Sequence, residues 1–326
     1  MIINANKNIL VLLDSHAIIH RAYHGLPPLT THEGVLVNAV YGFTTSVFKA
    51  LEDFKPKYIA AAFDMKGPTV RHEEFKEYKA KRPPAPDDLI KQFEIVRQVC
   101  KVLNIPVIDK KGYEADDIIG TITEKVKSQK SKVKSIVVTG DMDALQLVNQ
   151  NTNVYSMSRG IKQAEIFDIE KVKEKYGFEP EQLVDYKALR GDPSDNIPGV
   201  PGVGEKTATN LIKIFGNIEN LYEQISRYKI PASRQGGQDT KKSQNSNINL
   251  SSKTIELLTR NKDQAFLSKK LATIIKDVLI DFNLTDCLVH DYDKKKAEEL
   301  FKKLGFKSLL SRLPEERKNS QQVSMF

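Results

Sequence analysis

Ile9-Leu10-Val11-Leu12-Leu13-Asp14 is an unbroken apolar run closed by an acid. A run this short and this apolar reads as a strand buried on both faces, as in parallel sheets covered by helices. Its aspartate then stands at the carboxyl end of the strand, the edge where open α/β sheets carry their sites. The pattern repeats. Tyr58-Ile59-Ala60-Ala61-Ala62-Phe63 ends at Asp64, and Ser135-Ile136-Val137-Val138-Thr139 ends at Gly140-Asp141. Ile105-Pro106-Val107-Ile108 is a shorter fourth run. Helical periodicity fills the intervals, roughly 36–54, 87–103 and 114–129. This alternation predicts a doubly wound, Rossmann-like α/β domain with a parallel sheet. One acid at a strand end is ordinary; three ask for a common cause.

Composition sets the frame. The chain has 326 residues, 40% hydrophobic and 28% charged, enough for two domains with a sizeable core. No apolar run is long enough to span a bilayer, so no membrane role is expected. The first residues lack the basic start and apolar core of a secretion signal. Cys100 and Cys287 stand far apart, which excludes a disulfide framework and fits a reducing cytoplasm. A net charge of +8 suits a polyanionic partner without identifying one.

Past about residue 165 the strands fade and helical patterns take over, at 168–176, 180–190, 204–215 and 254–271. The stretch 234–252 is rich in Gln, Ser, Asn and Lys and reads as a disordered insertion. A charged amphipathic helix follows at 294–304, then a polar linker and an apolar end at Gln322-Val323-Ser324-Met325-Phe326. The expected organisation is an α/β core over 1–175, an all-α domain over 176–313 and a tail over 314–326.

The acids are the chemical signal. Asp14, Asp64, Asp141 and Asp143 are expected at one sheet edge, and Tyr113-Glu114-Ala115-Asp116-Asp117 opens a helix beside it. An acid at a helix N-terminus is favourable in itself, but that does not explain the convergence. Carboxylates packed together repel and raise one another's pKa. Divalent cations remove the penalty, and magnesium takes oxygen ligands. Adding Asp192 and Asp195, one turn apart if their segment is helical, gives nine candidate ligands: Asp14, Asp64, Glu114, Asp116, Asp117, Asp141, Asp143, Asp192 and Asp195. Two cations about 4 Å apart would suit phosphodiester hydrolysis.

Gly199-Val200-Pro201-Gly202-Val203-Gly204-Glu205-Lys206 is the second signal. It is no P-loop, because Glu205 separates the last glycine from Lys206 and no strand precedes it. A glycine hairpin opening a helix offers backbone N–H groups to phosphate, as helix-hairpin-helix elements grip a nucleic-acid backbone. The third signal is Met65 to Pro86, a basic crossing with Arg71, Lys79 and Arg82 and with Phe75 and Tyr78 interleaved. His16, His20 and His24 share one helix face, and they read as a polar helix beside the substrate rather than as a metal site.

These motifs together resemble the 5′-nucleases of the flap-endonuclease superfamily, most closely the 5′→3′ exonuclease domain of bacterial DNA polymerase I. The resemblance rests on Arg21-Ala22-Tyr23-His24-Gly25-Leu26-Pro27-Pro28, Ala62-Phe63-Asp64, Tyr78-Lys79-Ala80-Lys81-Arg82-Pro83-Pro84, Glu114-Ala115-Asp116-Asp117 and Thr139-Gly140-Asp141-Met142-Asp143, and on the stretch 189–208. It implies a PIN-like nuclease core with a helical arch at 65–86, then a helix-hairpin-helix domain with its hairpin about 190–215. It implies one metal group from Asp14, Asp64, Glu114, Asp116 and/or Asp117, and a second contribution from Asp141, Asp143, Asp192 and Asp195. Lys79 and Arg82 resemble arch cations that meet the scissile phosphate. Arg21, Tyr23, Arg71, Gly199, Gly202, Gly204 and Lys206 are the expected DNA contacts.

The implied activity is removal of 5′ flaps and RNA primers in replication and repair, leaving 5′-phosphate and 3′-hydroxyl ends. The implied cofactors are two or more Mg²⁺ ions, with Mn²⁺ able to substitute and K⁺ at the hairpin. Flapped, nicked or gapped duplex DNA is the expected partner of a monomer in the bacterial cytoplasm, associated with the nucleoid. The chain stops where polymerase domains would follow, so a stand-alone nuclease or a fragment is expected. The terminal Gln322, Val323, Ser324, Met325 and Phe326 resemble a sliding-clamp peptide and favour the former. The alternatives are a non-catalytic DNA-structure binding module, which would lack some of the acids, and a small single-strand ribonuclease, which would lack the glycine hairpin.

Overall fold

The computed structural model describes residues 8–128, 133–157, 160, 163–227, 250–289 and 292–313. The insertion expected at 234–252 falls almost wholly outside the described residues, and the tail at 314–326 falls wholly outside them. The chain forms two compact units: Met1–Glu74, Pro83–Lys171 and Ile274–Phe326 make the first, Phe75–Arg82 and Val172–Thr273 the second.

The first unit holds β1 (Asn8–Asp14), α1 (Ser15–Gly25), α2 (Asn38–Phe54), β2 (Tyr58–Ala62), α3 (Val70–Glu74), α4 (Asp87–Val102), β3 (Val107–Ile108), α5 (Ala115–Ser128), β4 (Val133–Thr139), β5 (Thr152–Ser156) and β6 (Glu165–Phe167). The six strands form one sheet in the order β3-β2-β1-β4-β5-β6. All pairings are parallel except β5 with β6. Leu10 to Leu13 are fully or almost fully buried, as a central strand covered on both faces requires. The chain runs outward from β1 in both directions, through β2 to one edge and through β4 to the other. That reversal of direction is a switch point, where the carboxyl ends of the strands open a crevice. Asp14 closes β1 there, and Asp141 follows the end of β4.

Two strands were not foreseen. Thr152-Asn153-Val154-Tyr155-Ser156 sets Val154 and Tyr155 between polar residues instead of forming an apolar run, and β6 is three residues long. β5 is held by ladders on both sides and β6 is the edge strand, so neighbouring strands rather than their own pattern recruit them.

The chain passes to the second unit along α6 (Ile169–Tyr176), then builds α7 (Leu183–Arg190), α8 (Glu205–Phe215), α9 (Ile218–Arg227), α10 (Ser252–Arg260) and α11 (Lys262–Ala272). The single helix expected over 254–271 is two helices, because Asn261 closes α10 and opens α11. From Ile274 the chain returns to the first unit and ends in α12 (Lys294–Lys303) and α13 (Lys307–Leu310). This corrects the expected border at 313. Phe301, Leu304, Phe306 and Leu309 bury themselves in the same core as Phe43, Phe48 and Val96, so their apolar faces belong to the α/β unit. No helix among the described residues is long and apolar enough to cross a membrane.

Candidate active site

Asp14 serves two neighbours at once. It caps α1 by accepting the Ala17 N–H at 3.1 Å, and it accepts the Thr139 hydroxyl at 2.6 Å. Thr139 lies at the end of β4, beside β1, and its oxygen also accepts the Asp141 N–H at 2.9 Å. One hydroxyl therefore links the two strand-end acids. Asp141 in turn accepts the Asp143 N–H at 2.9 Å. Asp64, beyond β2, accepts the Ala115 N–H at 2.6 Å at the start of α5. Its own N–H donates to His16 Nδ1 at 3.1 Å, which gives His16 a positioning role the sequence reading did not assign.

The electrostatics gathers these acids into one group. Burial, assisted by the charges of Asp141 and Asp64, pushes Asp14 up to about 7, against the hydrogen bonds from Thr139 and Ala17. Asp116 is pushed well above the usual carboxylate range, first by burial and then by Asp14, Asp141, Asp143 and Glu114. Six carboxylates spread along the sequence thus share one field. Among the described residues, no three His, Cys, Asp or Glu side chains close to metal-holding spacing. Asp14, Asp64 and Asp141 each accept from a nearby donor. The donor chemistry still fits a hard divalent cation, being all oxygen, crowded and partly desolvated.

Asp117 departs from this group. It is fully buried, and both its oxygens are engaged by Arg71 in a bidentate pair at 2.7 and 2.8 Å. This corrects two expectations. Both Asp117 oxygens are taken by Arg71 rather than left to a cation, and Arg71, 5% exposed, is no surface contact for DNA. Arg21 and Tyr23 keep partial exposure on α1. A Cβ on Gly140 would stand 3.4 Å from Arg21 Cδ, so Arg21 borders the loop that carries Asp141. Tyr23 donates its hydroxyl to Asp88 at 2.8 Å, which raises the phenol pKa.

Asp192 and Asp195 lie in the second unit, and their segment is not helical. It is a tight hairpin in which Asp192 and Ile197 exchange backbone hydrogen bonds at 2.8 and 2.9 Å. Each acid has its own cation. Lys187 bonds Asp192 at 2.6 Å. Burial raises Asp192, but the charge and hydrogen bond of Lys187, with Ser194, outweigh it and bring the carboxyl down to about 2. Asp195 pairs with Arg82 and, at 3.8 Å, with Lys79. Tyr78, almost fully buried, donates to the same carboxylate at 3.1 Å, and the Lys79 N–H donates to the Asp195 carbonyl at 2.9 Å. The basic segment Phe75–Arg82 is therefore docked on 194–197, with its expected electrophilic cations on an expected ligand. Lys187 and Thr139 are the partners the sequence reading missed; no local pattern marks either one.

In the glycine stretch, Gly199 and Gly202 have φ of +62° and +83°. At Gly199 a Cβ would meet the Gly191 nitrogen at 2.2 Å, so no side chain fits. Helix α11 clamps this turn: Gly199 donates its N–H to Ser268 at 3.0 Å and accepts from Gln264 at 2.7 Å. Gly204 differs. Its φ of −87° is ordinary and a Cβ there would meet nothing within 4 Å. Lys206 is exposed in the first turn of α8, beside an open cleft of about 440 Å³ lined also by Lys175, Tyr176, Tyr186 and Lys213.

Comparison with known proteins agrees with this architecture. Residues 9–177 match the N-terminal resolvase-like domain of the 5′-3′ exonucleases, and residues 178–295 match their C-terminal SAM fold. DNA polymerase I of Caldicellulosiruptor bescii is 39% identical over 306 residues, 93% of this chain and 33% of that protein. DNA polymerase I of Bacillus subtilis is 40% identical over 313 residues, 96% of this chain and 33% of that protein. The chain thus spans about a third of the length of these relatives. In fold it resembles the flap endonuclease of bacteriophage T5, solved as a pseudo-enzyme-product complex with DNA and metal ions. That match has a TM-score of 0.60 at 19% identity and covers 93% of this chain and 96% of that one. Because consecutive family domains match from residue 9 to 295, and relatives near 40% identity cover the same span, this chain belongs to the 5′-3′ exonucleases, a family of phosphodiester-cleaving nucleases.

Proposed function

We propose that this nuclease cleaves flapped or nicked duplex DNA, and the RNA primers attached to it, from the 5′ side, leaving 5′-phosphate and 3′-hydroxyl ends. The observation that carries the reading is the field shared by Asp14, Asp64, Glu114, Asp116, Asp141 and Asp143 at the switch point of the sheet. A group of half-buried, mutually repelling carboxylates is costly to maintain unless it receives cations. Mg²⁺ is the proposed ion, with Mn²⁺ as substitute. Bound there, a divalent cation supplies Lewis acidity toward water and the phosphate oxygens. Asp14, Asp64, Glu114, Asp116, Asp141 and Asp143 would hold it, with Asp14 and Asp116 giving up their protons. Asp192 and Asp195 are proposed as a further carboxylate pair that takes cations once Lys187, Lys79 and Arg82 yield.

On the substrate side, Lys79 and Arg82 are proposed to leave Asp195 and offset charge on the transferring phosphate. Arg21 and Tyr23 would meet the strand near the acids. The hairpin from Gly199 to Gly204 and Lys206 would hold the duplex backbone, with K⁺ proposed at the hairpin carbonyls. Binding should then weaken steeply with salt. A cytoplasmic monomer acting on nucleoid DNA, with the terminal 322–326 peptide reaching a sliding clamp, completes the reading.

The test compares a 5′-flap duplex with a plain single strand, in Mg²⁺ and in excess EDTA. Cleavage of the flap in Mg²⁺ alone, lost in Asp116→Ala and Asp141→Ala with DNA binding kept, is the expected result. Full activity in EDTA or in either variant overturns it.

A further inference from the structure

Asp116 and Asp117 are adjacent in the first turn of α5, and successive helix residues point about 100° apart. The turn therefore sends one acid toward the carboxylate group and the other away. Every acceptor position of Asp117 is filled. Oδ1 accepts Arg71 Nη2 at 2.7 Å and the Ile275 N–H at 2.9 Å. Oδ2 accepts Arg71 Nη1 at 2.8 Å and the Glu114 N–H at 3.1 Å. A carboxylate has about four such positions, so cation binding would have to displace a bidentate arginine. Arg71 also lies 3.7 Å from the Glu114 carboxylate. The preceding residue, Val70, donates its N–H to Gly112 at 2.9 Å, which ties α3 to the loop before α5.

A buried ion pair of this kind is weak evidence for stability, because desolvation offsets much of the attraction. Its position suggests another use. Asp117 holds the Glu114 backbone, Arg71 holds the Glu114 carboxylate, and Ile275 fixes the returning chain against the same carboxylate. We propose that Arg71 and Asp117 are a positioning pair, which aims Glu114 and Asp116 at a divalent cation without either member touching it. This rests on the cation-binding reading given above.

The experiment uses the full chain and Mn²⁺ itself, counted by electron paramagnetic resonance, with thermal melting in EDTA beside it. Arg71→Gln, Asp117→Asn and the double variant are compared with Asp116→Asn. The pair variants should each weaken Mn²⁺ by a similar factor, on the order of tenfold, with no further loss in the double. The number of ions bound should stay that of the unaltered protein, and excess Mn²⁺ should restore cleavage. An ion lost in Asp117→Asn but kept in Arg71→Gln would make Asp117 a ligand and overturn the pairing alone. Lowered melting with Mn²⁺ affinity within about twofold would reduce the pair to a structural role and also overturn it. Should Asp117→Asn not fold, Arg71→Lys keeps the charge without the planar fork. Weaker Mn²⁺ binding is expected there, and unchanged binding overturns the pairing. If the unaltered protein binds no Mn²⁺, the cation centre itself fails and the pair's role falls with it.

Discussion

Asp14 carries the clearest conflict between stability and function at the scale of one residue. Its carboxyl is raised to about 7, so between about pH 4 and 7 the folded protein holds a proton that the unfolded chain releases. By linkage, stability without metal falls as pH rises through that window. Asp14→Asn removes the buried charge. In EDTA at about pH 8 it should raise stability by up to about 4 kcal/mol, and the gain should vanish toward pH 4. Melting curves across pH check this, and cleavage should be lost. Thr139 supplies the opposing force, since its hydroxyl donates to Asp14 and lowers the carboxyl's pKa. In Thr139→Val the Asp14 pKa rises further, and the pH midpoint of Mn²⁺ binding should move upward. An unmoved midpoint would show that Thr139 does not tune the site.

Elements set which substitutions are tolerated in the second unit. In the glycine hairpin, Gly199→Ala drives a Cβ into the Gly191 backbone, and no side-chain motion relieves it. Gly202→Ala meets only the tip of Leu257 at 3.1 Å and carries the strain of its φ, of order 1–2 kcal/mol. Gly204→Ala has neither problem. The expected order in melting temperature is Gly199→Ala far below Gly202→Ala, with Gly204→Ala near the unaltered protein. Gly204→Ala should nevertheless bind duplex DNA more weakly, because in the proposed interface a methyl would stand between backbone and phosphate. Normal DNA affinity in that variant would remove Gly204 from the interface. The docked segment Phe75–Arg82 gives a second case. The Arg82 side chain is half exposed, so its pair with Asp195 contributes little to stability. Arg82→Gln should leave melting almost unchanged and slow cleavage by about 10²-fold.

At the scale of the whole molecule, the consequential feature is the return of the chain to the first unit after Ile274. Phe301 is fully buried, its ring 6.0 Å from those of Phe48 and Phe306. Phe301→Ala should cost about 3–5 kcal/mol and lower the melting of the α/β unit, although the residue lies late in the sequence. A chain ended at Thr273 should lack a cooperative unfolding transition for that unit, because α12 and α13 supply part of its core. The family's domain border near 177 divides the sequence, and the fold then draws residues 274–313 back across it.

The parts of this protein legible in the sequence are those set by short-range pattern. The apolar runs of β1, β2 and β4, the periodicity of α2, α4 and α5, and the acids at the strand ends follow from side-chain period and from burial on both faces. The glycine hairpin was legible too, since positive φ is a local demand. What the tertiary structure decided depends on partners distant in the chain. Nothing in Glu114-Ala115-Asp116-Asp117 says which acid joins the carboxylate group; Arg71 and the Ile275 N–H claim Asp117 from far along the sequence. Nothing in the basic crossing says that Arg82 rests on Asp195, or that Asp192 to Ile197 closes as a hairpin. Charges and hydrogen-bonding groups are satisfied by whatever folding brings within about 3 Å. Pattern therefore reveals which groups the chain carries, and packing decides which of them meet.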